Sequence, residues 1–246
     1  MKPGSKSGKK ILITGGSGLL GRELLKIDPS LIAPSHKELD ITDFQQTLEV
    51  LSKYKPDILL HLAAETKPPQ HEETPEPGLR VNIIGTANLA LACHKLGVRL
   101  VYTSTDYIYA GQGPHQEDEP VFAPYRFGWS KLGGEAAVSM LHDFLILRLS
   151  FGPAPSPWEK VYEGQYNSKL YVDEAAPLVL AAATSAETGV MNIGGPRKTL
   201  EEYARRTKPD IQTIPRPDWV PVDTSMDISK MKKALGIDDE LTLFKH

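Results

Sequence analysis

The alternation of short, β-branched apolar runs with helical patterns constrains the fold of this chain most. Runs typical of strands occur at 9–15, 30–35, 56–64, 98–105 and 143–150. Helical patterns at 18–27, 42–54, 80–97 and 128–141 separate them. The run "PDILLHLAA" is apolar on both faces, which is typical of a parallel strand covered on both sides. The alternation predicts an α/β fold, in which helices cover both faces of a parallel sheet.

A glycine-rich segment, "ILITGGSGLLG", joins the first strand pattern to the first helical pattern. Gly15, Gly18 and Gly21 in this segment have the spacing G-x-x-G-x-x-G. Glycine at such positions lets the chain turn tightly, lets a pyrophosphate approach the backbone, and packs the helix against the strand. The N-terminus of the helix then faces the phosphates. The segment therefore predicts a dinucleotide site.

The end of the second strand pattern bears on which dinucleotide binds. An acidic residue there would bind the 2′-hydroxyl of the adenosine ribose and exclude a 2′-phosphate. The chain reads "PSHKELDITD", with Ser35, His36 and Lys37 at this position and no acid before Glu38. This composition slightly favours NADP over NAD and leaves both open.

Residues 151–246 differ from the alternating part. The stretch "FGPAPSPWEKVYEGQ" is rich in proline and aromatic residues, which indicates a loop with little regular structure. Helical patterns at 172–185, 199–207 and 231–237 and a strand pattern at 189–195 follow it. We expect a flexible tail over 1–8, a dinucleotide-binding domain over 9–150, and a lobe over 151–246 that is mostly for the substrate, with segments that return to the sheet.

The bulk composition narrows the classes of partner. A net charge of −3 gives no reason to expect nucleic acid or an anionic membrane. No apolar run reaches the ~20 residues that a membrane helix needs. Cys93 is the only cysteine, so an intrachain disulfide is impossible, which suits the cytoplasm, where we expect the protein. The seven histidines lack the spacing of a metal site, so no metal is expected.

Further segments carry a resemblance through their order and spacing. They are "TGGSGLLG", "LDITD", "HLAAET", "VNIIGTANLA", "YTSTDYIYAG", "SKLGGE", "YVDEAAP", "GVMNIGGP" and "PVDTSMDISKMKKALGI". With them the chain resembles the extended short-chain dehydrogenase/reductase family, and within it the dTDP-4-dehydrorhamnose reductase-like (NAD-dependent epimerase/dehydratase) proteins. The resemblance implies a Rossmann-like sheet with a small C-terminal substrate lobe, an NADP or NAD cofactor, and a nucleotide-activated 4-keto-deoxysugar as substrate. Homodimers are common in the wider family.

The resemblance also implies roles for individual residues. Thr105 would hydrogen-bond the substrate carbonyl, and Lys131 would bind the nicotinamide ribose and lower the pKa of a neighbouring phenol. The residues assigned to the cofactor are Gly15, Ser17, Gly18, Leu19, Leu20, Gly21, Ser35, His36, Lys37, Asp40, Ile41, Leu62, Ala63, Ala64, Thr66, Asn82, Thr103 and Lys131. The residues assigned to the substrate are Asp106, Tyr107, Arg148 and Arg197. Each arginine is a candidate for phosphate, although Arg148 could equally be a structural residue at a strand end.

The stretch "PYRFGWSKLGGE" departs from the family at its catalytic position. Phe127 stands four residues before Lys131, where the family has a tyrosine. In the family's reaction a hydride moves to a ketone carbon, and the tyrosine gives the proton that the oxygen needs. Phe127 keeps the ring and lacks the hydroxyl. We therefore expect slow reduction and retained cofactor binding.

Three interpretations of Phe127 stay open. The chain is a reductase or epimerase impaired by this residue, or another tyrosine supplies the proton, or the protein is a non-catalytic dinucleotide binder that regulates or scaffolds a partner. Tyr125 points about 200° away from Phe127 at ~100° per helical residue, so Tyr107 is the better substitute. Trp158, Tyr162, Tyr166 and Lys169 lie in the segment expected to cover a nucleotide. An aromatic residue there could stack on a base or could belong to the packing of the loop itself, and both alternatives stay open.

Overall fold

A five-stranded parallel sheet forms the centre of the protein, as seen in a computed structural model that describes residues 8–66, 72–218 and 220–237. The strands occur in the order β1 (Ile11–Thr14), β2 (Ile58–His61), β3 (Arg99–Thr103), β4 (Phe144–Leu149) and β9 (Gly189–Ile193). The sheet and the helices beside it confirm the predicted α/β fold. The predicted tail falls, except for residue 8, outside the described residues.

Helices cover both faces of this sheet. They are α1 (Leu19–Ile27), α2 (Phe44–Tyr54), α3 (over 76–96), α4 (Arg126–Val138), α5 (Val172–Thr184) and α7 (Ser229–Leu235), whereas α6 (Leu200–Arg205) lies in the lobe that follows β4. Apolar residues that alternate along the strands face two cores, so Ile11 and Ile13 pack with α1, α5 and α7, whereas Leu12 packs with α2, α3 and α4. None of the helices in these described ranges has the length and apolar character needed to cross a membrane.

Two elements differ from the sequence predictions. The run at 30–35 forms no strand, only an isolated parallel bridge between Ile32 and Leu12. Pro34 follows this bridge and has no N–H to continue a ladder. The helix predicted at 80–97 contains a π-helical segment, Leu79–Gly85, before the regular part, Thr86–Leu96. Gly97 ends it in the left-handed conformation, with φ of 68°.

The lobe after β4 is built from short strand pairs. These pairs are β5 (Phe151–Gly152) with β8 (Leu170–Tyr171), β6 (Lys160–Tyr162) with β11 (Gln212–Ile214), and β7 (Tyr166–Asn167) with β10 (Lys198–Thr199). The stretch predicted as a loop over 151–165 therefore contains β5 and β6. The strands pack on α6 around Tyr171 and Tyr203, which are both buried.

A buried ion pair links α4 to the central sheet. The guanidinium of Arg148 on β4 donates to both carboxylate oxygens of Glu135 on α4, at 3.1 and 2.8 Å. It also donates to the Tyr109 hydroxyl at 2.9 Å. The side chains of Arg148 and Glu135 are only 6% and 8% exposed. Arg148 was a candidate for a substrate diphosphate or for a structural role at a strand end; its guanidinium is enclosed by this cluster and does not line the cleft at the carboxyl edge of the sheet.

Breaking this pair on one side should strongly destabilise the protein. In Arg148→Met the Glu135 carboxylate stays buried without its counter-ion, which costs about 3–5 kcal/mol of the free energy of unfolding. The double variant Arg148→Met/Glu135→Leu removes both charges and should recover most of that loss. Urea unfolding of the three proteins measures the effect. A single variant as stable as the parent chain would contradict the structural role of the pair.

Candidate functional site

The carboxyl ends of four parallel strands open into one cleft of about 1030 Å³. The cleft is lined by Thr14 at the end of β1, Leu62 after β2, Thr103 at the end of β3, and Leu149 at the end of β4. Open parallel sheets bind ligands at this edge, because the loops that follow the strands diverge there.

The glycine segment forms one wall of the cleft and leaves no room for side chains. Gly15 has φ of +72°, and a Cβ placed on it would lie 2.7 Å from the backbone nitrogen of Ala63. A Cβ on Gly21 would lie 2.7 Å from the Cα of Gly16. Helix α1 begins after Gly18, so no side chain caps the N–H groups of its first turn. Backbone N–H groups that no side chain covers, at the N-terminus of a helix, can bind a pyrophosphate.

A negative charge lies at the far end of the cleft, beyond the glycine segment. Ser35 and His36 line the cleft there, whereas Lys37 is exposed and does not line it. The Glu38 carboxylate accepts hydrogen bonds from the backbone N–H and the hydroxyl of Ser35, both at 2.8 Å, which lower the pKa of Glu38. The sequence suggested no acid at this point, but the chain folds Glu38 back onto Ser35.

Hydrogen bonds through His61 hold the floor of the cleft. Its two ring nitrogens lie 2.7 Å from the Thr14 hydroxyl and 3.0 Å from the Thr86 hydroxyl. Burial and, to a smaller extent, the charge of Lys131 lower the pKa of His61 to about 3, so the ring is neutral at pH 7. The Thr14 hydroxyl also accepts from the backbone N–H groups of Leu62 and Ala63, which positions the loop after β2.

Asn82 supports the cleft from outside. Its amide accepts from the Glu65 N–H at 2.8 Å, and donates to the Glu65 carbonyl at 3.0 Å and to the Ser130 hydroxyl at 2.8 Å. Ser130 in turn donates to the carbonyl of Phe127 at 2.7 Å. Asn82 is fully buried and does not line the cleft. Asn82 was assigned to the cofactor; in the structure its side chain ties the loop after β2 to the first turn of α4.

Phe127 and Lys131 lie one helical turn apart on α4, and both line the cleft. The Phe127 ring is 7% exposed. The Lys131 ammonium lies 4.3 Å from the centroid of the Tyr102 ring. Burial lowers the pKa of Lys131 to about 7, against the opposing effect of Glu135. The cleft thus has the buried amine of Lys131 one helical turn from the Phe127 ring, which has no hydroxyl.

The residues after β3 form the opposite wall. The Thr105 hydroxyl donates to the Asp106 carboxylate at 3.3 Å and accepts from the Tyr107 N–H at 3.2 Å. The other oxygen of Asp106 accepts from the Thr224 hydroxyl at 2.9 Å. Burial raises the pKa of Asp106. All three residues predicted here, Thr105, Asp106 and Tyr107, line the cleft.

The two phenols considered as substitutes for a catalytic tyrosine are weakened as acids. The rings of Tyr107 and Tyr125 meet edge to face, with their centroids 6.0 Å apart. Burial raises the pKa of Tyr107, and it raises the pKa of Tyr125 to about 12. A phenol that acts near neutral pH needs its pKa lowered instead. Neither environment provides that change.

A second cavity of about 480 Å³ adjoins the cleft and has an aromatic lining. Tyr107 lines both spaces. Tyr125, Trp158 and Tyr162 line the second cavity only. Because Tyr107 lines both, the two spaces are neighbours on either side of this residue.

Two basic residues on the lobe have positions that the sequence did not predict. Arg197 was assigned to phosphate, but its guanidinium pairs with Asp223 at 2.9 Å, lies 3.6 Å from the Tyr166 ring centroid, and does not line the cleft. Lys169, which had no assigned role, does line it. The signal in the sequence was its place in the segment expected to cover a nucleotide, just before "YVDEAAP". Among the described residues no cluster has the composition of a metal site.

The remaining predicted cofactor residues all reach the cleft. They are Gly15, Ser17, Gly18, Leu19, Leu20, Gly21, Asp40, Ile41, Ala63, Ala64 and Thr66. Their contact with a dinucleotide stays a prediction, whereas their placement around one cleft follows from the fold.

Known proteins resemble the chain in sequence and in structure. A dTDP-4-dehydrorhamnose reductase from Streptomyces griseus is 35% identical over 133 residues, which are 52% of this chain and 44% of that protein. The methionine adenosyltransferase 2 subunit beta of Xenopus tropicalis is 32% identical over 148 residues, 55% of this chain and 44% of its own length. The matched part thus spans less than half of either relative.

A solved structure shares the whole fold. The dTDP-4-dehydrorhamnose reductase of Bacillus anthracis str. Ames, solved in complex with NADP, superimposes with a TM-score of 0.82 at 24% identity, covering 92% of each chain. The family described as the RmlD substrate binding domain matches residues 9–152, more than half of the 246 residues. The chain therefore belongs to that family, as its resemblance to dTDP-4-dehydrorhamnose reductase-like proteins predicted.

Proposed function

We propose that this protein binds NADP or NAD in the cleft and acts on a nucleotide-activated 4-keto-deoxysugar, with catalysis impaired by Phe127. The observation that carries the proposal is the convergence of the glycine segment, Thr105 and Lys131 on one cleft beside a ring without a hydroxyl. A relative that is 35% identical over 133 residues is named a dTDP-4-dehydrorhamnose reductase.

The cofactor assignment rests on the shape of the cleft. Gly15 and Gly21 leave the backbone bare at the N-terminus of α1, where a pyrophosphate fits. Lys131 would hold the nicotinamide ribose. The bound dinucleotide would supply the hydride for reduction of a ketone.

The protein's own residues would orient the ketone and handle the proton. The Thr105 hydroxyl donates to the Asp106 carboxylate over a long distance, 3.3 Å. When this hydroxyl turns away from Asp106, it can donate to the carbonyl oxygen of the ketone. Phe127 packs where a proton donor is needed and offers none. Tyr107 and Tyr125 have raised pKa values, so they do not replace it. Ketone reduction should therefore be slower by about 10²–10⁴-fold than with a phenol at this position.

A second candidate is a regulatory or scaffold subunit that binds NADP without turnover. The same observations favour it, because the glycine segment still leaves the backbone accessible for a pyrophosphate, while Phe127 has no hydroxyl to donate a proton. A relative 32% identical is named as a subunit, methionine adenosyltransferase 2 subunit beta. Copurification with another enzyme, or stabilisation by one, would favour this candidate.

Restoring the hydroxyl separates the two candidates. We expect Phe127→Tyr to increase turnover of 4-keto nucleotide sugars by about 10²–10⁴-fold, because a phenol beside Lys131 can give the proton. Affinity for NADPH, measured by fluorescence titration, should stay within about twofold, since the ring already fills the position. Phe122→Tyr makes the same change on a side chain that is 60% exposed and serves as the control.

The outcomes of that experiment are distinct. Turnover only in Phe127→Tyr supports an impaired reductase or epimerase. Binding of NADPH by both proteins without turnover by either supports the regulatory subunit. A parent chain that binds neither NADPH nor NADH would overturn the proposed function in both forms.

The negative charge of Glu38 should weaken the binding of NADPH relative to NADH. Glu38 lies on Ser35 at the adenosine end, where a 2′-phosphate would add negative charge. We expect Glu38→Gln to improve the affinity for NADPH relative to NADH by about threefold to tenfold, as removal of an exposed like charge predicts. Fluorescence titrations at low and high salt measure the ratio, with Glu49→Gln on α2 as the control. An unchanged ratio would show that Glu38 is too far from the phosphate to matter.

A further inference from the structure

Reduction of a ketone in this cleft needs a proton donor other than residue 127, because the Phe127 ring has no hydroxyl. Burial raises the pKa values of Tyr107 and Tyr125, so neither phenol is suited to this task. The titratable side chain that contacts Thr105, the hydroxyl proposed to meet the carbonyl, is Asp106.

The Asp106 carboxyl is buried between two threonine hydroxyls. Its Oδ1 lies 3.3 Å from the Thr105 hydroxyl, and its Oδ2 accepts from the Thr224 hydroxyl at 2.9 Å. Asp106 and Thr105 both line the cleft. The carboxyl is therefore one hydrogen bond away from a hydroxyl that a ligand in the cleft can reach.

The surroundings of Asp106 favour its protonated form. Burial raises the pKa of this carboxyl, and the charge of Lys169 and the two threonine hydroxyls offset that effect only in part. Tyr107, its neighbour in the chain, also has a raised pKa and is neutral. Asp106 thus keeps its proton to a higher pH than an exposed aspartate does.

The protonated carboxyl also fits the hydrogen bonds of Thr105. A threonine hydroxyl can accept two hydrogen bonds and donate one. The Thr105 oxygen accepts one from the Tyr107 N–H at 3.2 Å. If Asp106 donates the second, the hydrogen of the Thr105 hydroxyl is free to bond a carbonyl in the cleft. An ionised Asp106 would hold that hydrogen itself.

We infer that Asp106 supplies, through the Thr105 hydroxyl, the proton that Phe127 cannot give during reduction of a ketone. The inference rests on the proposed function, because it takes the reaction from it. It adds a proton source that acts through another residue, and it predicts slow turnover in a chain that lacks the phenol.

Atoms and charges balance in this step. When the carbonyl carbon gains the hydride of the reduced dinucleotide, an electron pair of the C=O bond moves to the oxygen. This oxygen takes the hydrogen of the Thr105 hydroxyl, while the Thr105 oxygen takes the proton of Asp106. An alcohol, an intact threonine and the Asp106 carboxylate remain. The carboxylate then regains a proton from water in the cleft.

Asp106→Asn tests this role, because the amide keeps the hydrogen bonds but cannot give up a proton near neutral pH. Its NH₂ group can donate to Thr105, and its oxygen can accept from Thr224, as in the protonated carboxyl. We expect kcat for a 4-keto nucleotide sugar with NADPH to fall by about 10²-fold, the lower end of what a positioned proton donor contributes. KM should stay within about twofold, because Thr105 still meets the carbonyl.

The same change in a second background makes the result specific. In Phe127→Tyr the phenol gives the proton, so Asp106→Asn should lower kcat there by less than about threefold, since two sources of one proton do not act additively. Equal losses in both backgrounds would overturn the inference, because Asp106 would then only support the wall of the cleft. Asp118→Asn, at an exposed position, is the control and should leave kcat unchanged.

The protonation of Asp106 can also be measured without cofactor or substrate. A protonated carboxyl has an infrared C=O stretch that is separate from the bands of carboxylates and amides. We expect this band in the difference spectrum between the parent chain and Asp106→Asn at neutral pH. Its absence would show that Asp106 is ionised in the folded protein and would overturn the inference.

The outcomes separate this inference from the proposed function. If Phe127→Tyr reduces a 4-keto nucleotide sugar and the parent chain has no turnover, the inference is wrong and the proposed function stands. The same holds if Asp106→Asn leaves kcat of the parent chain unchanged, and the Lys131 ammonium then becomes the better candidate for the donor. If neither Phe127→Tyr nor the parent chain reduces any such sugar, the inference and the proposed reaction are both overturned.

Discussion

The shape of this site depends on hydrogen bonds to the buried backbone groups of the loops where four parallel strands end. Loops that leave a sheet edge carry backbone N–H and carbonyl groups, which must find partners when they are buried. Thr14, His61 and Asn82 provide those partners for the loop after β2. The loop can then pass close to Gly15 and leave the cleft open beside it. The shape of the cleft is thus a consequence of side chains that do not themselves face a ligand.

Buried charge in this protein falls into two kinds. The buried Arg148 meets Glu135, and the buried Asp223 meets the exposed Arg197, so both pairs serve the fold. Lys131 and Lys169 face the cleft with aromatic rings and hydroxyls as neighbours, and burial lowers the pKa of both. Desolvation of an ammonium is costly unless a negative group offsets it. A cleft that keeps two such groups is therefore suited to anionic ligands, although the protein as a whole has a net charge of −3.

Periodicity and glycine spacing were sufficient to predict the sheet, the helices on both of its faces, and the position of the glycine segment between β1 and α1. They act locally, through backbone geometry, and so are visible in a single sequence. Contacts between distant segments are not visible in this way: Arg148 pairs with Glu135, and Arg197 pairs with Asp223. Glu38 is near Ser35 in the chain, but the spacing alone does not reveal that its carboxylate turns back onto Ser35. The strand expected at 30–35 failed for a local reason, Pro34, whose effect on a ladder outweighs the apolar run before it. The sequence placed Lys169 in the segment expected to cover a nucleotide, whereas its contacts with Ser150 and Trp158 are visible only in the structure.

The packing of Phe127 also bears on how such proteins diverge. Its ring is enclosed in the first turn of α4, and the carbonyl of the same residue is held by Ser130. Phenylalanine and tyrosine differ by one oxygen atom and by a single base in their codons. One substitution at this position therefore changes the hydrogen-bonding chemistry at the cleft, while an aromatic ring still fills the same space.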